Sequence, residues 1–159
     1  MKNEYISFSP IHPSDIDILE KWISKPHVQK WYFNPDLWIK KMQRSHGEDS
    51  LIHYNLIFHK CKPIGFAQWY DFCDFCNECN SIITFNNTYI IDYFIGDTKN
   101  PQKNLTKSIV KELKEIIIKL HPSSHIVVHP EIGNKLSQKK LLTSGYSFDK
   151  HTKRNFPEL

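Results

Sequence analysis

The chain is 159 residues long, with 21 Lys and Arg against 17 Asp and Glu, and it is 40% hydrophobic and 24% charged. That is enough for one domain over residues 1–159 with a core of its own, in the ordinary composition of a soluble globular protein. No apolar run approaches the about 18 residues that a membrane span needs. MKNEYISFSP lacks the apolar region of a secretory leader, so a cytoplasmic protein without a membrane partner is expected.

In chain order, EYISFS (residues 4–9) alternates well enough for a first strand. Pro13-Ser14-Asp15 then opens a helix, with Ser14 as its N-cap and Ile16, Leu19, Trp22 and Ile23 at helical spacing. Pro26 interrupts it, His27 to Tyr32 restarts a short helix, and Asp36 to Gln43 makes another. His53 to His59 and Pro63 to Phe72 are joined through the four-residue polar turn His59-Lys60-Cys61-Lys62 and read as a β-hairpin. A polar loop containing Cys73, Cys76 and Cys79 follows. Thr88 to Gly96 is continuously apolar, the mark of a central strand. Leu105 to Leu120 is an amphipathic helix with Leu105, Ile109, Leu113, Ile116, Ile117 and Leu120 on its core face. Ser124 to His129 reads as a parallel strand reached by a β–helix–β crossover. Leu136 to Thr143 is a helix ending at Gly145, and Tyr146 begins a last strand. This order predicts an α/β (α+β) fold: a mixed central sheet with flanking helices.

The basic excess is mostly Lys, with only Arg44 and Arg154 as Arg. Nucleic-acid readers lean on Arg for bidentate contacts, so no nucleic-acid partner is expected. Charge is unevenly spread: Ile64 to Thr98 contains Asp71, Asp74, Glu78, Asp92 and Asp97 without a Lys or Arg, and Lys dominates from Lys99 onward. One half of a site built there would attract cations and the other anions. Scattered surface charge is the plain alternative.

Cys73, Cys76 and Cys79 have metal-ligand spacing, but the remaining thiol, Cys61, sits in the hairpin turn. An extended strand of about 25–30 Å separates it from the trio, so free thiols are expected and no metal. His125 and His129 share a strand about 13 Å apart, too far for one ion.

Tyr89 to Leu120 is the most informative stretch. A strand carrying a single carboxylate, Asp92, passes through a short polar loop into a Lys-studded helix. A helix N-terminus presents unpaired N–H groups and a positive dipole end to an anion such as pyrophosphate. Asp92, inside IIDYFI, is expensive to bury unless it is paired, raised in pKa or functional. Together they suggest group transfer from a phosphate-bearing cofactor; a purely structural partner for a buried Tyr or backbone group is the alternative for Asp92.

Four segments, in order and covering nearly the whole chain, resemble the GCN5-related N-acetyltransferases. Within them the chain is most similar to the aminoglycoside 6'-N-acetyltransferase branch, which groups with siderophore-type acyltransferases. The segments are Trp22-Ile23 through Pro26-His27-Val28 to Trp31-Tyr32; Lys62-Pro63-Ile64-Gly65-Phe66-Ala67-Gln68; Ile91-Asp92-Tyr93-Phe94-Ile95-Gly96; and Val128-His129-Pro130 through Asn134 to Ser144-Gly145-Tyr146. Three departures stand beside the match. Asn100-Pro101-Gln102-Lys103-Asn104-Leu105 lacks the two glycines of the family's pyrophosphate loop, Leu141 falls where many members have a Tyr that protonates the thiolate, and His129 falls where this branch often has an Asp.

The resemblance implies a sheet splayed into a V that holds acetyl-CoA, a small-molecule amine as partner, and a monomer or homodimer. Asp92 would handle the amine proton. Backbone amides at Phe94, Ile95 and Gly96 would polarise the thioester, and Gln102, Lys103, Asn104, Leu105, Thr106, Lys107 and Asn134 would bind the cofactor, with Lys139 also in reach. Trp31, Tyr32, Trp69, Tyr70, Asp71 and Asp74 would bind the acceptor, an aminoglycoside-like polycation. His129 as a proton carrier stays open. So do a protein, peptide or siderophore-type acceptor and a degenerate, non-catalytic binding role.

Overall fold

The computed structural model describes residues 5–29, 34–44, 51–74, 87–97, 99, 105–129 and 139. Within them a five-stranded sheet runs in the order β1-β2-β3-β4-β5. The strands are β1 (Ile6–Pro10), β2 (Ile52–His59), β3 (Lys62–Asp71), β4 (Thr88–Ile95) and β5 (His125–His129). The first four pair antiparallel as neighbours. β5 joins parallel to β4 after the crossover helix α4 (Leu105–Leu120), as the sequence order predicts. Of the expected helix at Leu136 to Thr143 only Lys139 is among the described residues, where it is helical, and the strand expected at Tyr146 lies outside them.

Between β1 and β2 come α1 (Ile16–Ile23), α2 (Pro26–Gln29) and α3 (Pro35–Arg44). Ser14 does not cap α1. A short 3-10 turn over Pro13–Asp15 precedes that helix, and the carboxylate of Asp15 accepts from the His12 N–H at 2.8 Å. Asp15 is the N-cap residue of α1, and its side chain makes no cap hydrogen bond to that helix.

Strand alternation sends the two sheet faces to different cores. On one face Ala67, Trp69, Tyr89, Ile91 and Tyr93 pack against Leu105, Ile109, Val110, Leu113 and Ile117 of α4. On the other, Leu56, Phe66 and Phe94 pack against Leu19, Trp22 and Ile23 of α1 and Trp38, Ile39 and Met42 of α3. A smaller cluster of Tyr70, Phe72 and Ile90 continues that second face. The apolar stripe of α4 is rotated from its expected position. Val110 is buried, whereas Ile116 and Leu120 are 37% and 60% exposed.

Two glycines mark close approaches. A Cβ on Gly65 would stand 2.3 Å from the Phe94 carbonyl oxygen, and one on Gly96 would stand 2.1 Å from the Trp22 ring. The first lets β3 meet β4; the second lets α1 close over the end of β4. No described helix is long and apolar enough to cross a membrane.

Candidate active site

Asp92 sits mid-strand on β4, in register with Gln68 on β3 and His129 on β5. Gln68 is in turn in register with Tyr54 on β2. This row crosses four strands and carries polar groups at every position. The same sheet face is apolar on either side of it, with Leu56, Phe66 and Phe94 toward one end and Tyr70 and Ile90 toward the other.

Gln68 Nε2 donates to Asp92 Oδ2 at 2.9 Å. Burial pushes the Asp92 carboxyl up to about 6, and the Gln68 hydrogen bond opposes that rise. Asp92 as a whole residue is nevertheless half-buried. A carboxylate with a pKa near neutrality is suited to taking and returning a proton.

Beyond Asp92 the sheet changes character. The described β4–β5 pairing ends at Asp92↔His129, and β4 continues through Tyr93, Phe94 and Ile95. Gly96 N–H and Asp97 N–H both donate to the Ile64 carbonyl on β3, at 2.9 and 3.0 Å. Gly96 is therefore not an amide donor for a thioester. By two-residue alternation Phe94 N–H also points toward β3, and its side chain is buried in the core. The Ile95 N–H points the other way, to the side on which β5 lies. Of the three amides expected to polarise a carbonyl, it alone is directed there.

The two peptide units after Ile95 are pinned at both ends. His27 Nε2 donates to the Ile95 carbonyl at 3.0 Å, and Lys25 Nζ donates to the Gly96 carbonyl at 2.7 Å. The α1–α2 link is thereby latched onto the strand that carries Asp92. Sequence reasoning missed both latch residues. The signal present was the Pro26-His27 segment itself, which carried the resemblance without a role for its His.

The N-terminus of α4 fits an anionic cofactor in part. It opens a 16-residue helix with no acid in the first turn, and Lys107 is exposed there. Leu105 is 3% exposed and belongs to the α4-facing core. A Leu in place of the family's glycine is thus a core anchor. Thr106 is also buried. Gln102, Lys103, Asn104, Asn134, Trp31 and Tyr32 lie outside the described residues, and Lys139 is exposed.

The expected acceptor wall is divided. Trp69 and Tyr70 are adjacent on a strand and so point to opposite faces. Trp69 faces α4, stacked on His53 at a ring distance of 3.7 Å and edge-on to Tyr89 at 5.9 Å. Tyr70 shares the Asp92 face but is buried with Phe72 and Ile90. Asp71 pairs with Tyr89, three register positions and about 10 Å from the Asp92 row, and by alternation on the other face. Asp71 and Asp74 both raise the Tyr89 hydroxyl pKa, after burial. Burial and then Asp71 raise the Asp74 carboxyl. These two acids form one electrostatic group with Tyr89, at the end of the sheet.

The sequence profile of the acetyltransferase (GNAT) domain family matches residues 12–154. The chain belongs to that family. It is an N-acetyltransferase domain, with acetyl-CoA as the cofactor that membership brings. The fold is shared with solved structures of low identity. The aminoglycoside acetyltransferase AAC(6')-Ib in complex with coenzyme A and kanamycin is 18% identical, with 91% of this chain and 86% of that chain covered and a TM-score of 0.74. The aminoglycoside N(6')acetyltransferase from Legionella pneumophila is 16% identical, with 94% and 84% covered and a TM-score of 0.69. A domain from Methanocaldococcus jannaschii is 15% identical, with 93% and 92% covered and a TM-score of 0.69. No protein of curated function matches the sequence.

Proposed function

We propose that this GNAT domain transfers an acetyl group from acetyl-CoA to a primary amine of a small polycationic acceptor of the aminoglycoside type, with Asp92 as the base. The observation that carries this reading is the Asp92 carboxyl, lifted by burial to about 6 in a polar row between two apolar clusters. Ionised at neutral pH, it accepts a proton from the ammonium form of the acceptor and leaves the amine free to attack. Acetyl-CoA supplies the acetyl group as a thioester. The Ile95 N–H is the strand's donor for polarising a carbonyl on the β5 side, and the N-terminus of α4 with Lys107 suits the anionic end of the cofactor.

The acceptor class is supported by the resemblance of Pro63 to Gln68 and Ile91 to Gly96 to the aminoglycoside branch, and by neighbours crystallised with kanamycin and ribostamycin. The test is acetylation of an aminoglycoside panel by the purified chain, followed by mass spectrometry and thiol release. Acetylated product from the wild type, with kcat lowered about 10²-fold or more in Asp92→Asn, is the expected result. Unchanged turnover in that variant would remove Asp92 from the mechanism.

A further inference from the structure

Gln68 is 2% exposed, and its Oε1 is buried with no hydrogen-bond partner among the described residues. Buried polar atoms left unpaired are costly and uncommon in folded proteins. The other end of the same amide is well used, since Nε2 holds Asp92 Oδ2 at 2.9 Å. An ionised carboxylate only accepts, so Nε2 is the end that must face it. Once Asp92 gains a proton it also becomes a donor, and the complementary end of the amide is then Oε1. The terminal torsion of Gln is broad and roughly two-fold. With nothing holding Oε1, turning the amide over breaks no hydrogen bond on that side.

We propose that Gln68 is a positioning residue for the Asp92 base, donating through Nε2 while the carboxylate is ionised and turning over to accept through Oε1 when Asp92 carries the proton. A Lys or a backbone N–H in the same place would favour only the ionised state. The amide serves both, which lets Asp92 take a proton from an amine and give it up again. The elements packed on this row contribute Tyr54 from β2, Tyr70 from β3, and His125 and the register partner His129 from β5. Burial raises the Asp92 titration and the Gln68 hydrogen bond opposes that rise.

This role rests on Asp92 being the base, and the test separates the two. In the unliganded protein, the Asp92 carboxyl carbon is titrated by NMR in the wild type and in Gln68→Met, which keeps the side-chain length and removes the amide. The midpoint is expected to rise by about half a unit or more, and the acid limb of the kcat/KM profile to move up with it. A purely structural role would lower activity without moving either midpoint, and that outcome overturns the proposal. In the wild type, which needs no variant to fold, the downfield Gln68 side-chain amide proton is expected to move upfield through the Asp92 midpoint. An amide pair that stays constant there overturns the turning-over step. Normal turnover in Asp92→Asn would instead sink the assignment of the base, while the titrations still report the hold of Gln68 on the carboxyl.

Discussion

Lys25 donates from Nζ to the carbonyl of Gly96, 71 residues away in sequence, and so ties the end of α1 to the exit of the strand that carries Asp92. His27 repeats the contact one peptide earlier, at Ile95. Charge-assisted hydrogen bonds in partly buried positions are stronger than neutral ones. Lys25→Met keeps the alkyl stem and removes the charge. It is expected to destabilise the fold by about 1–2 kcal/mol in urea unfolding, and to raise KM for the acceptor because the helices and the strand are no longer held in one register. A midpoint in urea unchanged from wild type would mean that the latch adds nothing.

Gly96→Ala tests the same junction sterically. The new methyl would meet the Trp22 ring at 2.1 to 2.6 Å, so ring or backbone must shift, with a loss of about 1–3 kcal/mol. A smaller residue at Trp22 should relieve the clash. In a double-mutant cycle Gly96→Ala is expected to cost less on a Trp22→Leu background than on the wild type. Additive costs would place the strain elsewhere.

The hairpin between β2 and β3 offers a gain. Lys60 and Cys61 have φ of 49° and 64°, the pair of left-handed conformations of a two-residue type I′ turn. Neither is the residue type that favours them. Cys61→Gly is expected to raise stability by about 1 kcal/mol, since it removes a left-handed penalty at an exposed site. The melting temperature measures it, and a fall in that temperature would refute the turn assignment.

Much of this fold is written in short-range pattern. The hairpin, the continuous apolar run of β4 and the 16-residue α4 each announce themselves within their own sequence. What sequence could not supply is register between distant strands. β2 and β3 are tied by a tight turn, but β3 and β4 are not, so nothing local pairs Gln68 with Asp92. For the same reason Gln68 is legible only as a motif residue, while Asp92 stands out by its apolar surroundings. The stripe of α4 is expected in the wrong place because period alone does not say where a stripe is centred: Ile116 and Leu120 fit the spacing yet lie on its solvent side. Trp69 and Tyr70 are a different case. Strand alternation alone separates neighbours, and applied to β3 it is sufficient to divide the aromatic wall between the two faces.

The Asp92 carboxyl makes a stability prediction opposite in sign to its catalytic one. Its folded pKa is raised from 3.8 to about 6, so between those values the folded chain binds more protons than the unfolded chain. Stability from this group is present at low pH and is lost as pH rises through that window, with the full cost in place above about 6. Asn in place of Asp removes the buried charge yet can still accept from Gln68 Nε2. At pH 7.5, Asp92→Asn is therefore expected to be more stable than wild type by about 1–3 kcal/mol, the range allowing for partial solvent exposure. Below pH 4 the difference should vanish. Urea unfolding at pH 4, 5.5 and 7.5 reads the trend directly. A variant less stable than wild type at pH 7.5 would show that the ionised carboxylate is held by partners strong enough to outweigh its desolvation. Gain of stability with loss of turnover is what a carboxylate kept for chemistry at the expense of the fold should give.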